Sequence, residues 1–309
     1  MTVSKSKIYS LLLFVMLLWG MNVIATKILV TSFMPVTMTA FRIFTAGCIV
    51  FLILGFLKAV RLPKGKEWFY IFIGSLFNVV GHHYFLSVGL TKTSATNTGL
   101  ILGMAPLLTA ILAMLFLKDK ATVLKVVGVL LGFFGVSFVI LGNGESLHHI
   151  SSGDIDIFLS ILSQSVSFIT IKKASKTIDP RLMTGYMLIF GSALLFVISL
   201  IIEPSGLSSM TRGSIAAWSL FLLSALLATA FGHMIYNYSV GKIGAAEASI
   251  FINFNPFFAL IGSLLFLGET IVWKQLLGFI FIILGVTLGS GAYEELMRRF
   301  ARKRHVYMK

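Results

Sequence analysis

The sequence predicts an all-α integral membrane protein: ten transmembrane helices arranged as two inverted five-helix repeats, with both termini cytoplasmic. Three observations carry this prediction. The 309 residues are 57% hydrophobic and only 12% charged, with a mean hydropathy of +0.97, and one soluble core could not hide so much apolar surface. The chain reads nearly the same way twice, GHHYFLSVGL at 81–90 answering GHMIYNYSVG at 232–241. Its basic residues gather in alternate connections between apolar runs.

A helix rises about 1.5 Å per residue and the hydrocarbon layer is about 30 Å thick, so a crossing takes roughly 20 apolar residues. Runs of that kind lie at about residues 8–26, 36–57, 67–89, 93–117, 121–141, 155–173, 181–202, 213–239, 244–267 and 271–290. They are continuous rather than alternating, which argues against barrel strands. Tyr84, Ser87, Val88 and Gly89 align with Tyr236, Ser239, Val240 and Gly241. Pro106, Phe116, Asp119, Gly128 and Gly135 align with Pro256, Phe266, Glu269, Gly278 and Gly285, and more weakly Lys27, Pro35 and Thr39 with Lys172, Pro180 and Thr184. The repeats are therefore expected at 1–146 and 147–291, followed by a basic cytoplasmic tail at 292–309 that touches anionic lipid.

The net charge of +14 does not point to nucleic acid, because the charges sort by side. With the amino terminus inside, the inner segments hold Lys5, Lys7, Lys58, Arg61, Lys64, Lys66, Lys118, Lys120, Lys125, Lys172, Lys173, Lys176, Arg181, Lys242 and the tail cations from Arg298 to Lys309. The outer segments hold Lys27, Lys92, Arg212 and Lys274, while Arg42 falls inside the second span. Five spans per half then send the second half in from the opposite face. A cleaved leader at Lys5–Ala25 is the lesser alternative, since a polar stretch before the cleavage site is missing. Cys48 is the sole cysteine and lies within a span, so no disulfide framework is expected. Glu145, His148, His149, Asp154 and Asp156 share the longest outer connection without metal-ligand spacing, and no metal or cofactor is expected.

Pro106 and Pro256 fall near the middle of spans four and nine, at equivalent places in the two repeats. Each removes a backbone donor and displaces the carbonyl four residues back, at Leu102 and Ile252. Freed carbonyls at membrane depth are tolerated only inside protein or beside a polar cavity, and paired helix breaks are the best sequence pointer to a central site. A structural kink is the plainer alternative. Asn78 with His82, and His233 with Asn237, stand four apart; Asn22 follows Trp19 by three; Asn253 and Asn255 flank the second break. Amides and imidazoles in hydrocarbon face the bundle interior, as cavity lining or as interhelical bonds. His82 and His83 cannot share one face, and His82 is favoured because it shares that of Asn78. Arg42 is expected to snorkel toward the outer headgroups, or else to meet an anionic solute. No carboxylate is expected near the midplane, which favours facilitated transport or exchange, or coupling through His82, His233 or Glu247. The spacing of Gly128, Gly132 and Gly135, and of Gly278, Gly285 and Gly289, predicts close helix packing in spans five and ten.

Trp19-Gly20-x-Asn22, the stretch from Pro35 to Phe41-Arg42, the two mid-span prolines and Gly268-Glu269 together resemble EamA-type carriers of the drug/metabolite transporter superfamily, over nearly the whole chain. The resemblance implies ten helices in two inverted repeats, alternating access, spans five and ten as peripheral supports, and export of amino acids and related metabolites across the cell membrane. It implies a cavity lined by Trp19, Asn22, His82, Tyr84, Gln164, Tyr186, His233, Tyr236, Asn237 and Asn253, with Pro106 and Pro256 as gating breaks. The chain departs from the family at Asp119, where glutamate is usual, and at Gln164-Ser165, which face Trp19-Gly20 in the repeat. An aromatic and amide wall without a fixed carboxylate suits a neutral or zwitterionic solute. The expected protein is thus a secondary transporter and not an enzyme, whose partners are a small solute and lipid; the sequence leaves its oligomeric state open, a monomer being compatible with it. A pore and a lipid-handling protein are the alternatives, the second of which requires a lateral opening.

Overall fold

The computed structural model describes residues 5–117, 122–140 and 151–289, and every regular element among them is a helix. The tail beyond residue 291, the outer-loop residues Glu145, His148 and His149, and Asp119 lie outside the described residues. Eight helices are long and apolar enough to cross a membrane. They are α1 (Lys5–Ser32), α2 (Pro35–Phe56), α3 (Glu67–Lys92), α4 (Ala95–Leu102 and Ala105–Leu117), α6 (Ser152–Ala174), α7 (Pro180–Ile202), α8 (Ile215–Ile243) and α9 (from Ala245 to Leu267 in several pieces). Two shorter apolar helices stand at the remaining predicted spans, α5 (Val123–Ile140) and α10 (Trp273–Gly289).

Local chemistry sets most of the boundaries. Pro35 and Pro180 each occupy the first turn of a helix, where a missing N–H costs nothing, and the residue before each is extended. Asp179 also caps its helix, accepting from Arg181 N. Ser94, Ser151 and Ser214 cap α4, α6 and α8 by accepting backbone N–H bonds. Gly244 (φ +102) separates α8 from α9, and Gly268 (φ +64) ends α9, both in backbone regions that penalise a side chain.

The packing pairs equivalent helices. α2 lies along α7, and α5 along α10; α1 packs on α8 and α9, while α6 packs on α3 and α4. Large apolar side chains such as Phe14, Leu52, Phe72, Leu115, Val197 and Leu265 point outward, while Asn78, His82, Ser165, Thr229 and Asn237 are buried. Apolar surface outside with polar groups inside is the construction of an integral membrane protein.

Ties between helix ends define two faces. On one, Lys5 and Tyr9 reach Glu247, Lys172 donates to the Gly241 carbonyl, and Arg61 binds Glu67 and the Thr177 carbonyl. The hydrogen bond to Glu67 holds the Arg61 guanidinium above its ordinary range. On the other face, Lys27 Nζ donates to the carbonyls of Leu90 and Thr93, both at 2.7 Å. There Glu203 accepts from Val36 N and Thr37 N, and Glu269 from Ala95 N and Thr96 N, so each carboxylate caps the start of another helix. Glu247 therefore sits at a helix end, away from the centre.

The glycine stripes of α5 and α10 interlock as the sequence predicts. A Cβ on Gly285 would come within 2.5 Å of Gly132 N and 2.7 Å of the Gly128 carbonyl, and one on Gly135 within 2.7 Å of the Gly278 carbonyl. Those neighbours are backbone and cannot yield without parting the helices. Gly285→Leu is therefore expected to destabilise by about 1–3 kcal/mol. Gly55→Leu, with nothing within 4 Å, is expected to stay within about 0.5 kcal/mol. Melting of the two purified variants in detergent checks this, and equal loss in both would refute the close-packing account.

Candidate solute-binding site

Four helices lose regular α geometry along their length. α3 opens into a π-helical stretch at Ser75–Gly81, directly before His82, and α8 does so at Ser224–Gly232, directly before His233. α4 leaves the helix at Gly103 and Met104 and restarts at Ala105, so Pro106 falls harmlessly in the first turn of its second half. α9 also changes winding, tightening into a 3-10 turn at Ile250–Asn253 just ahead of Pro256. The breaks are thus real at both predicted places, and they face each other. A Cβ on Gly103 would meet Pro256 Cγ at 2.6 Å.

Between these irregular stretches lies a small cavity of about 40 Å³. Trp19, Asn22, His82, His83, Gln164, Thr229, His233 and Asn255 supply its polar and aromatic lining, and Val23, Leu86, Leu102 and Ile252 its apolar wall. A volume of that size accommodates a water and no metabolite, so a solute enters only if the surrounding helices part.

The lining is cross-braced. Trp19 Nε1 donates to the Ala228 carbonyl at 2.9 Å, fixing the indole against the π stretch of α8, and its ring lies 5.1 Å from that of His233. Ser160 Oγ donates to the His82 carbonyl at 2.8 Å, so at 2.7 Å it accepts from His82 Nδ1. His82 Nε2 then accepts from Gln164 Nε2 at 3.1 Å, and the network as a whole selects one tautomer. His83 lies between His82 and His233, with ring centroids 4.6 and 5.3 Å away. Both its ring nitrogens, His233 Nε2 and Asn255 Oδ1 are buried without a hydrogen-bond partner among the described residues.

Five of the ten lining residues inferred from sequence reach this cavity: Trp19, Asn22, His82, Gln164 and His233. The other five stand elsewhere. Tyr236 is fully buried behind Trp19, between it and Phe168. Asn237 Nδ2 donates to Thr184 Oγ1, bolting α8 to α7. Tyr186 donates to the Arg61 carbonyl at one face of the bundle. Tyr84 is half-buried beside Phe85, and Asn253 sits in the 3-10 turn with its Oδ1 unpartnered.

Three further readings need correction. Asn78 and His82 do not act together: Asn78 Nδ2 bonds Ser167 Oγ, because the π stretch between them breaks the four-residue alignment of a regular helix. His82 and His83 both border the cavity, which spans more than one helix face. Arg42, expected to snorkel, is 1% exposed. Its Nη1 donates to Ser224 Oγ and Thr229 Oγ1, each at 3.0 Å, and Ser224 Oγ in turn donates to Asn22 Oδ1. His83, Thr229 and Asn255 entered no sequence-derived lining, although Asn255 stood beside the predicted break and could have been found there.

Asn22 and Ala228 also border a second feature. An apolar groove of about 280 Å³ opens between α1, α8 and the end of α9, walled by Leu18, Met21, Ile28, Leu223, Leu227 and Phe266. Of the outer-loop acids that are described, Asp154 accepts from Thr93 Oγ1 and Asp156 pairs with Lys92.

The sequence model of the EamA-like transporter family matches residues 6–141 and again residues 151–290. The uncharacterised transporter YyaM of Bacillus subtilis is 31% identical over 290 residues, covering 92% of this chain and 93% of that protein. An uncharacterised transporter of Archaeoglobus fulgidus is 24% identical over 271 residues, covering 87% and 93%. A solved crystal structure shares the fold at a TM-score of 0.68 and 17% identity, covering 93% of this chain and 98% of its own. With its helices, its matched breaks and both halves of its sequence in agreement, the chain belongs to the EamA-like transporter family and is a multi-pass membrane transporter.

Proposed function

We propose that the protein is a secondary transporter of a small metabolite, an amino acid or related zwitterion, working by alternating access across the cell membrane. The observation that carries this reading is the small central cavity, lined by amides, imidazoles and an indole, at the meeting of α1, α3, α4, α6, α8 and α9. A cavity far smaller than any metabolite, walled by broken helices, suits a state between openings and not a standing pore. Export is the direction the family resemblance implies.

In this reading the chain crosses the membrane ten times, as two inverted repeats, with both termini cytoplasmic. At about 1.5 Å per residue, the 18 residues of α5 and 17 of α10 rise about 27 and 26 Å, close to a hydrocarbon layer of about 30 Å. The pairing of α2 with α7 and α5 with α10, and the exchange of α1 on α8 and α9 for α6 on α3 and α4, are what a two-fold axis in the membrane plane produces. The double match of one family model supports the same duplication. The face that carries Lys5, Arg61, Lys172 and Arg181 becomes the cytoplasmic one by its basic excess.

A lipid-handling function is the second reading, favoured by the apolar groove that reaches the cavity wall at Asn22 and Ala228. Counterflow in liposomes separates it from the first. A panel of labelled amino acids, nucleosides and amines is expected to give counterflow for at least one water-soluble solute, unaffected by collapse of the proton gradient. Ohmic current without counterflow would indicate a channel, and scrambling of a labelled lipid without counterflow would indicate the lipid function.

Two residue-level outcomes follow. Gln164→Ala is expected to raise KM for the transported solute by about tenfold, the loss of one to two polar contacts. Asn237→Ala, which removes a bond between α8 and α7, is expected to lower Tm and leave KM within about twofold. The reverse ranking of KM effects would move the site. For sidedness, single cysteines in a Cys48→Ser background are expected to label from the inside at Lys64→Cys and from the outside at Ser208→Cys. Labelling of both from one side would exclude the proposed threading.

A further inference from the structure

We infer that Arg42 is the anchor for the carboxylate of the transported solute, and that this transporter selects small organic monoanions and zwitterions with an apolar body over amines and neutral amides. The inference rests on the carrier reading above and names its substrate class. It begins from a charge without a counter-charge. Arg42 is 1% exposed, and its only hydrogen-bond partners among the described residues are the hydroxyls of Ser224 and Thr229, while its Nε has none. A guanidinium removed from water ordinarily sits against a carboxylate, since hydroxyls return only part of the lost hydration. The ion pairs of the described residues lie at helix ends, Lys5 with Glu247, Arg61 with Glu67, Lys92 with Asp156 and Arg181 with Asp179. The two buried acids are likewise engaged there, Glu67 with Arg61 and Asp154 with Thr93. None is left over for Arg42.

Position makes the solute the missing partner. From Arg42 Nη1 one route runs through Ser224 Oγ to Asn22, and another ends on Thr229, whose carbonyl lies 3.2 Å from His233 Nδ1. Asn22, Thr229 and His233 all line the central cavity. The guanidinium therefore lies one side chain behind the wall, with Thr229 between it and the cavity. In the same wall His83 has both ring nitrogens unpartnered and His233 one, so a carboxylate brought to Arg42 also meets at least one imidazole N–H. Trp19, Val23, Leu86, Leu102 and Ile252 offer the apolar surface for the remainder of the molecule. One cation balances one negative charge. A phosphate dianion would want a second, and the nearest described lysine on α1, Lys27, is committed to two carbonyls at the helix ends.

The experiment compares each common amino acid with its α-amide and with its deaminated acid. Thermal melts of the purified full-length protein and counterflow in proteoliposomes are both read. At least one amino acid is expected to raise Tm and to drive counterflow; its deaminated acid is expected to compete, and its amide to do neither. Arg42→Gln is expected to lose the acid-induced Tm shift and to raise KM for the acid about tenfold or more, the equivalent of one charged hydrogen-bond pair. Arg42→Lys, which keeps the charge, is expected to recover part of the selectivity. A side chain that only braced α2 against α8 would alter Tm and leave the acid-to-amide preference unchanged. Amides as effective as acids in the wild-type protein would overturn the anchor, a result that does not depend on any variant folding. Counterflow confined to amines or nucleosides would overturn the anchor and leave the carrier standing, whereas absence of counterflow for every solute would remove both.

Discussion

A guanidinium enclosed by helices fixes the centre of this molecule. Arg42 comes from α2, its hydroxyl partners Ser224 and Thr229 from α8, and Asn22, which receives the Ser224 proton, from α1. Three helices from both halves of the sequence thus converge on one charge. In water such a knot would be worth little; in hydrocarbon, an unsatisfied charge or hydroxyl costs several kcal/mol, so the three helices must keep their register. Ser224 opens the π stretch of α8 and Thr229 lies within it. The wider winding brings the two hydroxyls, five residues apart, onto the same guanidinium nitrogen. Regular α geometry would turn them about 140° from each other.

The same constraint explains why four of the helix irregularities gather around one cavity. A π turn, a 3-10 turn and a chain break each leave backbone groups less completely paired, and lipid cannot serve them. They are tolerable where several helices face one another around polar side chains. α3, α4, α8 and α9 supply those stretches, and the cavity forms among them. α1 and α6 cross the region as unbroken helices and contribute Trp19, Asn22, Ser160 and Gln164 as fixed braces. α2 and α7 lie together, tied at one end by Glu203, and Asn237 through Thr184 fastens α8 to α7.

What the sequence disclosed and what it hid follow from how far each inference depended on regular geometry. Glycine stripes in α5 and α10 were legible because a missing Cβ has one consequence wherever the helix is regular, and the backbones do approach there. The prolines marked the breaks for a similar reason. Pairs judged by four-residue spacing failed where a π stretch intervened, as with Asn78 and His82. Tyr236 and Asn237 follow the π stretch of α8 and face its neighbours, although their types suited a cavity wall. Arg42 was misjudged because snorkelling is a statement about distance to the surface, and its preceding turn is roofed by Glu203 and the helix at Gly206–Met210.

Mobility and rigidity can therefore be apportioned by chemistry. α5 and α10 meet backbone to backbone at their glycines and ring to ring where Phe134 and Phe138 pack on Phe281, a contact too close for either helix to slide on the other. The ties at the two faces are of another kind. A lysine donating to two carbonyls, or a carboxylate capping another helix, gives up its bonds to water at little net cost once it is exposed. In the proposed alternating-access cycle, breaking such ties on one face would let α1, α4 and α9 separate there. Under the anchor proposal, Arg42 would keep its bonds to Ser224 and Thr229 until a solute carboxylate exchanged for them. On the same proposal, exposure of Arg42, the one buried lysine or arginine among the described residues, would follow occupancy, and that coupling needs no carboxylate at the midplane.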